Sequence, residues 1–386
     1  MSRALRELPT TDPAEMLRAL RDALTGDGPA VLPRERGRQC AVAQDAAAAN
    51  PVPSEVGRLV ALVIETSGST GSPKRVALST DALLASAAAS ASSLGGEGQW
   101  LLALPVHYIG GAQVLVRSIV AGTEPLALAR GHFDARAFCE LASAMTADAR
   151  FVSLVPVQLA RLMEAAAEDQ RLLASLQRFD GILLGGQRPR PDLLETADEL
   201  SLAVSVTYGS SETSGGCVYN GVPIGNTQVR VVDEQLEIAG SVLAEGYLGD
   251  PDRTAAIFHE SDGFRWYRTG DLGSVEDGRI VVTGRADSVI ISGGEKVSLD
   301  AVERAVREIE GYGDSVVVGI ESEEWGQVPV VAVAGSPALA LDGVRAHIAA
   351  RLGRASAPAR IVIFDAIPML SSGKPDRVTI ARTVSD

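Results

Sequence analysis

Apolar residues at Met16, Leu17, Leu20 and Leu24 fall on one face of a helix over residues 13–24. Residues 41–53 are alanine-rich and end in Asn-Pro-Val-Pro, the composition of a surface connection. From there the pattern changes to short apolar runs, each closed by a turn of small or polar side chains. Such runs occupy residues 59–64, 100–104, 151–155, 181–184 and 203–206, and near-continuous apolar character, broken only by Ser153 and Ser205, marks strands buried on both faces. Helices are expected between them at 81–93, with Ser79 or Thr80 as N-cap, and at 110–120. This rhythm predicts an α/β fold in which ligands sit at the carboxyl ends of the strands. Beyond Pro223 the strands become short and alternating, at 228–232, 237–239 and 279–282. Another change at 284–287 leads into a helix over 298–310 capped by Ser298, strands at 314–320 and 328–333, a helix at 341–352 and a strand at 360–364. The expected organisation is a large N-terminal domain of α/β layers with a small β-rich part, residues 1–286. A small α+β domain, residues 287–386, follows.

Composition narrows the class. The chain has 386 residues, 46 % of them hydrophobic and 22 % charged, which excludes a disordered polymer and allows two cores. No apolar run approaches the ~20 residues a membrane span needs, so membrane insertion is not expected. Charged residues follow Met1 directly, without the apolar stretch of a signal peptide, and a cytoplasmic protein is the expectation. Cys40, Cys139 and Cys217 are far apart and in no metal-ligand spacing, which argues against a disulfide framework or a zinc site. A net charge of −14 disfavours nucleic acid as a partner. The basic residues are more informative: 32 of 35 are arginines. The three lysines, Lys74, Lys296 and Lys374, all stand in glycine- and serine-rich stretches, where a compact ammonium is a better ligand than a guanidinium fork.

Five stretches carry candidate chemistry. Thr66-Ser67-Gly68-Ser69-Thr70-Gly71-Ser-Pro-Lys74 follows an apolar strand and offers backbone N–H groups, hydroxyls and one ammonium, the means by which a loop cradles phosphate. It lacks the Gly-Lys-Ser/Thr of a Walker loop. The bland alternative, a flexible linker, gives no reason for a lysine there. Tyr208-Gly209-Ser210-Ser211-Glu212-Thr213 also follows a strand. Glu212 is a hard oxygen ligand suited to Mg²⁺, and Tyr208 has a face for a base; a turn with a capping carboxylate is the alternative. In Tyr267-Arg-Thr-Gly-Asp271-Leu-Gly the carboxylate sits in a glycine-flanked turn where it can accept both ribose hydroxyls, or else bond its own backbone. Arg285 and Asp287 lie in Gly-Arg-Ala-Asp at the domain junction, which runs on to a Gly-Gly turn and Lys296. Ser371-Ser-Gly-Lys374-Pro closes the series; the last two stretches also read as ordinary turns. Ser371 and Lys374 formally fit Ser-x-x-Lys, but the companion motifs of serine acyl-transferases are missing.

In order and spacing these stretches, over about residues 60–380, resemble the core motifs of the adenylate-forming superfamily of acyl-CoA synthetases, peptide-synthetase adenylation domains and luciferases. That resemblance implies ATP, Mg²⁺ and coenzyme A acting on a small-molecule carboxylic acid, and a mobile C-terminal domain. Residues 66–74 become the phosphate loop and Glu212 the Mg²⁺ ligand. Asp271 and Arg285 become ribose ligands, and Gly185, Gly186, Gln187 and Tyr208 line the adenine. Gly209, Ser210 and Ser211 join the nucleotide site, and Asp287 is the hinge. Lys374 serves adenylation, and the turn at 293–296 with Lys296 serves thioester formation. Two positions depart from the pattern: Arg75 stands where glycine is usual, and Glu65 where an aromatic or apolar residue is common. Ser153-Leu-Val-Pro-Val-Gln158-Leu159, Leu104-Pro-Val-His107-Tyr-Ile-Gly-Gly111 and Ser211-Glu-Thr-Ser-Gly-Gly-Cys-Val-Tyr-Asn-Gly221 resemble the short bacterial o-succinylbenzoate–CoA ligases of menaquinone biosynthesis. On that likeness His107 flanks the reacting carboxylate, unless it is a satisfied histidine in a polar loop, and Ser210, Ser211, Thr213 and Arg188 are donors to the acyl substrate. Another aryl- or acyl-CoA ligase, or an adenylation enzyme that loads a carrier protein, remains open at this point. So does a non-catalytic nucleotide sensor of the same fold. A homodimer is the expected assembly.

Overall fold

Most of the apolar runs become buried strands, whereas Val204–Ser210 is half-buried. In the computed structural model, which describes residues 1–9, 12–35, 51–66, 74–129, 133–335, 339–370 and 374–385, residues 60–64 and 181–184 are buried without exception. The loop residues Ser67, Gly68, Ser69, Thr70 and Gly71, most of the alanine-rich connection, and Ser371 lie outside the described residues. Two compact units are formed, Met1–Val229 with Ile238–Tyr267, and Arg230–Glu237 with Arg268–Asp386. Asp287 falls inside the second.

The first unit holds a six-stranded and a seven-stranded sheet. The six-stranded sheet has the order Gly246–Tyr247, Lys74–Ser79, Val60–Thr66, Ala30–Arg34, Ser2–Pro9, Glu55–Gly57. Two of these strands break the sequence expectation. Lys74–Ser79 begins with two basic residues that hide its apolar run, and Ser2–Pro9 carries charges at Arg3, Arg6 and Glu7 that outweigh its buried Leu8. Pairing decides both: Lys74–Ser79 lies antiparallel on Val60–Thr66, and Ser2–Pro9 lies parallel to Ala30–Arg34. The seven-stranded sheet runs Val222–Pro223, Gly215–Tyr219, Val204–Ser210, Gly181–Leu184, Arg150–Leu154, Gln99–Leu102, Leu126–Ala127. Helices Ala135–Ala144, Pro156–Glu168 and Gln170–Gln177 pack on it around Leu101, Phe138, Val152, Leu162 and Ile182, all fully buried. Helix Thr80–Leu94 starts as the sequence indicates, with the Ser79 hydroxyl accepting from the Ala82 amide.

In the second unit, Val316–Ser322 pairs antiparallel with Gly326–Ala334, and Arg360–Phe364 joins it in parallel. Helices Leu299–Arg307 and Leu341–Leu352 cover one face around Val302, Tyr312, Val317 and Val331. The C-terminal helix Arg377–Ser385 covers the other with Ile380 and Val384. The Tyr267–Gly273 stretch, expected as a turn, lies within the strand Phe264–Glu276. Gly270 at φ +72° and a register shift at Leu272/Gly273 let the strand absorb its glycines as a bulge.

Candidate functional site

The Glu212 segment is a 3₁₀ turn, Ser211–Thr213, between antiparallel strands Val204–Ser210 and Gly215–Tyr219. The ladder shifts register between Tyr208 and Gly209, where a Cβ on Gly209 would stand 2.1 Å from the Gly215 carbonyl oxygen. Four hydrogen bonds from three segments pin this turn. The Ser214 carbonyl accepts from Ser86 Oγ at 3.0 Å and Gln113 Nε2 at 2.7 Å. Ser214 Oγ donates to the Val242 carbonyl at 2.8 Å, and the Ala244 amide donates to the Glu212 carbonyl at 2.8 Å. Thr213, fully buried, accepts the Ser210 amide on its hydroxyl and donates to the Gly215 carbonyl. Such a turn is held before any ligand arrives.

The Glu212 carboxylate, on a residue 7 % exposed, accepts from the Tyr247 hydroxyl at 2.8 Å and has no ion pair among the described residues. Burial, reinforced by the Glu212 charge, pushes the Tyr247 phenol well above its ordinary value, so it remains a donor. Lys74 heads its strand opposite Thr66, and its ammonium lies 5.8 Å from the Tyr247 ring centroid. Ser210 Oγ is buried without a hydrogen-bond partner among the described residues. A buried carboxylate with no ion pair among the described residues, two residues along the chain from an unused hydroxyl, fits a hard divalent ion such as Mg²⁺. No cluster of three or more His, Cys, Asp or Glu side chains occurs among the described residues, so the rest of such an ion's shell would come from water and substrate oxygens.

Gly185, Gly186 and Gln187 follow the strand Gly181–Leu184, beside Tyr208 on the neighbouring strand, and a Cβ on Gly185 would meet Thr207 Oγ1 at 2.7 Å. Arg188 continues this segment. His107 lies in the turn between Gln99–Leu102 and helix Ile109–Val120, its ring tilted 49° against that of Tyr108 with centroids 4.3 Å apart, and with Nε2 3.9 Å from a Glu35 oxygen.

The structure adds two residues that the motifs do not reveal. Tyr247 is one; a tyrosine after Gly246 and four residues before Pro251 was its only signal. Arg117 is the other, buried on the helix Ile109–Val120, with its guanidinium 4.8 Å over the Trp100 ring and Nε without a hydrogen bond among the described residues. Burial lowers its affinity for the proton, and Tyr219 partly offsets this. A lone arginine in an otherwise uncharged helix was the available sign.

The second unit gathers another cluster. Arg285 Nη1 donates to Asp271 at 2.8 Å, and Arg285 Nε and Nη2 donate to Asp287 at 2.8 and 3.1 Å. Asp271 and Arg285 are also register partners. Asp300 accepts the Arg285 amide at 2.8 Å. Lys296 is exposed on the strand Glu295–Ser298, after a Gly293–Gly294 turn with both φ positive and the Gly293 amide bonded to the Trp325 carbonyl. Lys374 is exposed, and its carbonyl accepts from the Leu370 amide. The segment after it is anchored by Arg377, which donates to the buried Glu303 at 2.7 Å. Glu212, Lys74, His107 and Tyr208 thus belong to the first unit, and Asp271, Arg285, Asp287, Lys296 and Lys374 to the second.

Layered sheets that end in a pinned acidic turn and a lysine-headed strand define a nucleotide-using α/β protein. The AMP-binding enzyme profile matches residues 7–248, and the AMP-binding enzyme C-terminal domain matches residues 301–374. The chain belongs to the AMP-binding enzyme family. It is 39 % identical over 334 residues to a probable 2-succinylbenzoate–CoA ligase of Mycobacterium tuberculosis, covering 84 % of each chain. It is 28 % identical over 343 residues to the 2-succinylbenzoate–CoA ligase of Enterococcus faecalis, covering 82 % of this chain and 68 % of that one. The fold is similar to o-succinylbenzoate CoA synthetase of Bacillus subtilis in complex with its acyl-adenylate intermediate, at TM-score 0.77 and 22 % identity, over 97 % of this chain and 87 % of the other. ATP-bound MatB of Rhodopseudomonas palustris aligns at TM-score 0.81 and 19 % identity, over 100 % and 89 %.

Proposed function

We propose that the protein is an AMP-forming acid–thiol ligase that converts o-succinylbenzoate to o-succinylbenzoyl-CoA in menaquinone biosynthesis. The observation that carries this reading is the 39 % identity to a 2-succinylbenzoate–CoA ligase over 84 % of both chains. The pinned Glu212 turn beside Tyr247 and Lys74 supports the reaction type.

A carboxylate is too poor an electrophile for direct attack by a thiol. Its oxygen first attacks the α-phosphorus of ATP, and the bond to pyrophosphate breaks. The thiol sulfur of CoA then attacks the acyl carbonyl of the adenylate, AMP leaves with the bonding pair, and the thiol proton passes to solvent. Charge that builds on phosphate oxygens is met by groups already in place. Lys74 supplies one cation; an ammonium at 4 Å from a phosphate oxygen interacts by about 4 kcal/mol at an effective dielectric of about 20. Glu212 and Ser210 would hold Mg²⁺, which supplies charge neutralisation to the pyrophosphate when bound. The main chain at Gly185 and Gly186, with Gln187 and Tyr208, receives the adenine. Asp271, with Arg285, receives the ribose. Arg117, a buried cation with no carboxylate bonded to it among the described residues, suits the substrate carboxylate that does not react. His107 stands near the reacting one, with Ser211, Thr213 and Arg188 as further donors. Lys374 serves adenylation and Lys296 serves thioester formation, with Asp287 as the pivot that lets each act in its turn. A cytoplasmic homodimer is the expected form, checked by light scattering.

Mass spectrometry of thioesters formed from ATP, Mg²⁺, CoA and a panel of acids tests the reading. The panel holds o-succinylbenzoate, benzoate, a cinnamate, and short and long fatty acids. Preference for o-succinylbenzoate is expected; turnover of another acid alone would move the substrate. Pyrophosphate release without any thioester would instead make a carrier protein the acceptor.

A further inference from the structure

The two departures from the family pattern, Glu65 and Arg75, are register partners on adjacent strands. Arg75 Nε donates to Glu65 Oε1 at 3.1 Å, with the Arg75 side chain only 5 % exposed, and Arg75 Nη1 reaches the Pro51 carbonyl at 3.3 Å. Arg34 donates from Nη1 to the other Glu65 oxygen and from Nε to Glu7 at 2.9 Å. Glu7, Arg34, Glu65 and Arg75 sit on Ser2–Pro9, Ala30–Arg34, Val60–Thr66 and Lys74–Ser79, four consecutive strands of the six-stranded sheet. Charges therefore alternate from strand to strand, and each inner member has an opposite charge on both sides. The next register pair beyond Glu65 and Arg75 is Thr66 and Lys74.

We infer that this charge ladder is a positioning device that fixes the Thr66–Lys74 pair and aims the Lys74 ammonium at the nucleotide phosphates. The inference rests on the reading of Lys74 as a phosphate ligand. Glu65 is gripped on both oxygens by two planar guanidinium forks, which hold direction as well as distance. The five residues before Glu65 on its strand are apolar and buried, so core packing alone gives no reason for a carboxylate at this position. The ladder also ties the two N-terminal strands to the start of the nucleotide segment. All four act on Lys74 through the strands that carry them, which makes them positioning residues.

Kinetics of the full-length enzyme test it. Pyrophosphate release at varied ATP is measured beside thioester formation from supplied o-succinylbenzoyl-adenylate and CoA. Glu65→Gln, which keeps size and hydrogen-bonding capacity, and Arg75→Met should each raise KM for ATP about tenfold, the worth of a charged hydrogen bond. The thioester step should change by less than about twofold, and the double variant should lose little more than either single one, because the pair acts as a unit. Arg75→Lys should recover part of the loss; if Arg75→Met does not fold, Glu65→Gln and Arg75→Lys decide the question. Equal losses in both half-reactions, additive losses, or an unchanged KM overturn the inference. An effect of Lys74→Ala on ATP dependence, with none at Glu65 or Arg75, overturns the ladder alone. No effect at Lys74 removes the phosphate-ligand reading and the ladder with it.

Discussion

A single phenol links a carboxylate and an ammonium in the first unit. The Tyr247 hydroxyl orients Glu212 while its ring lies against Lys74, and burial keeps it protonated. Removal of that hydroxyl leaves Glu212 buried and free to turn. Tyr247→Phe is expected to raise the Mg²⁺ concentration needed for half-maximal pyrophosphate release by about tenfold, as for loss of a charged hydrogen bond. Mn²⁺ binding followed by electron paramagnetic resonance should weaken in parallel. Cys217 makes a different point. Burial pushes its thiol from 9.0 to about 12, so it is inert at neutral pH. The folded chain keeps that proton in a range where the unfolded chain loses it, and stability therefore falls as pH rises from 9 towards 12. Between pH 7.5 and 10.5 the wild type should lose about 2 kcal/mol more than Cys217→Ala, as read from urea unfolding. Equal losses would mean that the thiol does not titrate across this range.

Two β-bulges shape the functional segments, at Tyr208/Gly209 and at Leu272/Gly273. At the first, a methyl group on Gly209 would collide with main-chain oxygen, which no rotamer change relieves. Gly209→Ala should cost about 1–3 kcal/mol in unfolding free energy and displace Glu212, so pyrophosphate release should fall with it. By comparison, Ser79→Ala, which removes only a helix cap, should cost about 1 kcal/mol and spare the kinetics. The bulges also explain what the chain pattern reveals. Buried parallel strands such as Gly181–Leu184 are uninterrupted apolar runs, and the cap at Ser79 and the amphipathic helix after Ser298 are local features; all were legible. Lys74–Ser79 and the Asp271 strand were not, because partners across the sheet, not their own residues, make them strands. The motif residues stand out in the sequence by residue type and spacing. Tyr247 and Arg117 were hidden because what sets them apart is what surrounds them, a contact 35 residues away in one case and a buried Nε with no hydrogen bond among the described residues in the other.

At the scale of the molecule, the candidate lysines divide between units, with Lys74 in the first and Lys296 and Lys374 in the second. If the latter two act in different steps, their variants should be mirror images. Lys374→Ala should abolish pyrophosphate release yet spare thioester formation from supplied adenylate, and Lys296→Ala should do the reverse. Parallel losses in both assays would remove the two-step division. The second unit is also discontinuous in sequence: residues 230–237 belong to it, and the chain then returns to the first unit for 238–267 before completing it. Protein engineers who recombine relatives by a single crossover near residue 287 would inherit a seam through the middle of a folded body. Arg285 and Asp300, bonded across that cut, would come from different parents. Chimeras should tolerate exchange better when the short 230–237 insert and everything after 267 travel together, which makes this unit a cassette with two pieces.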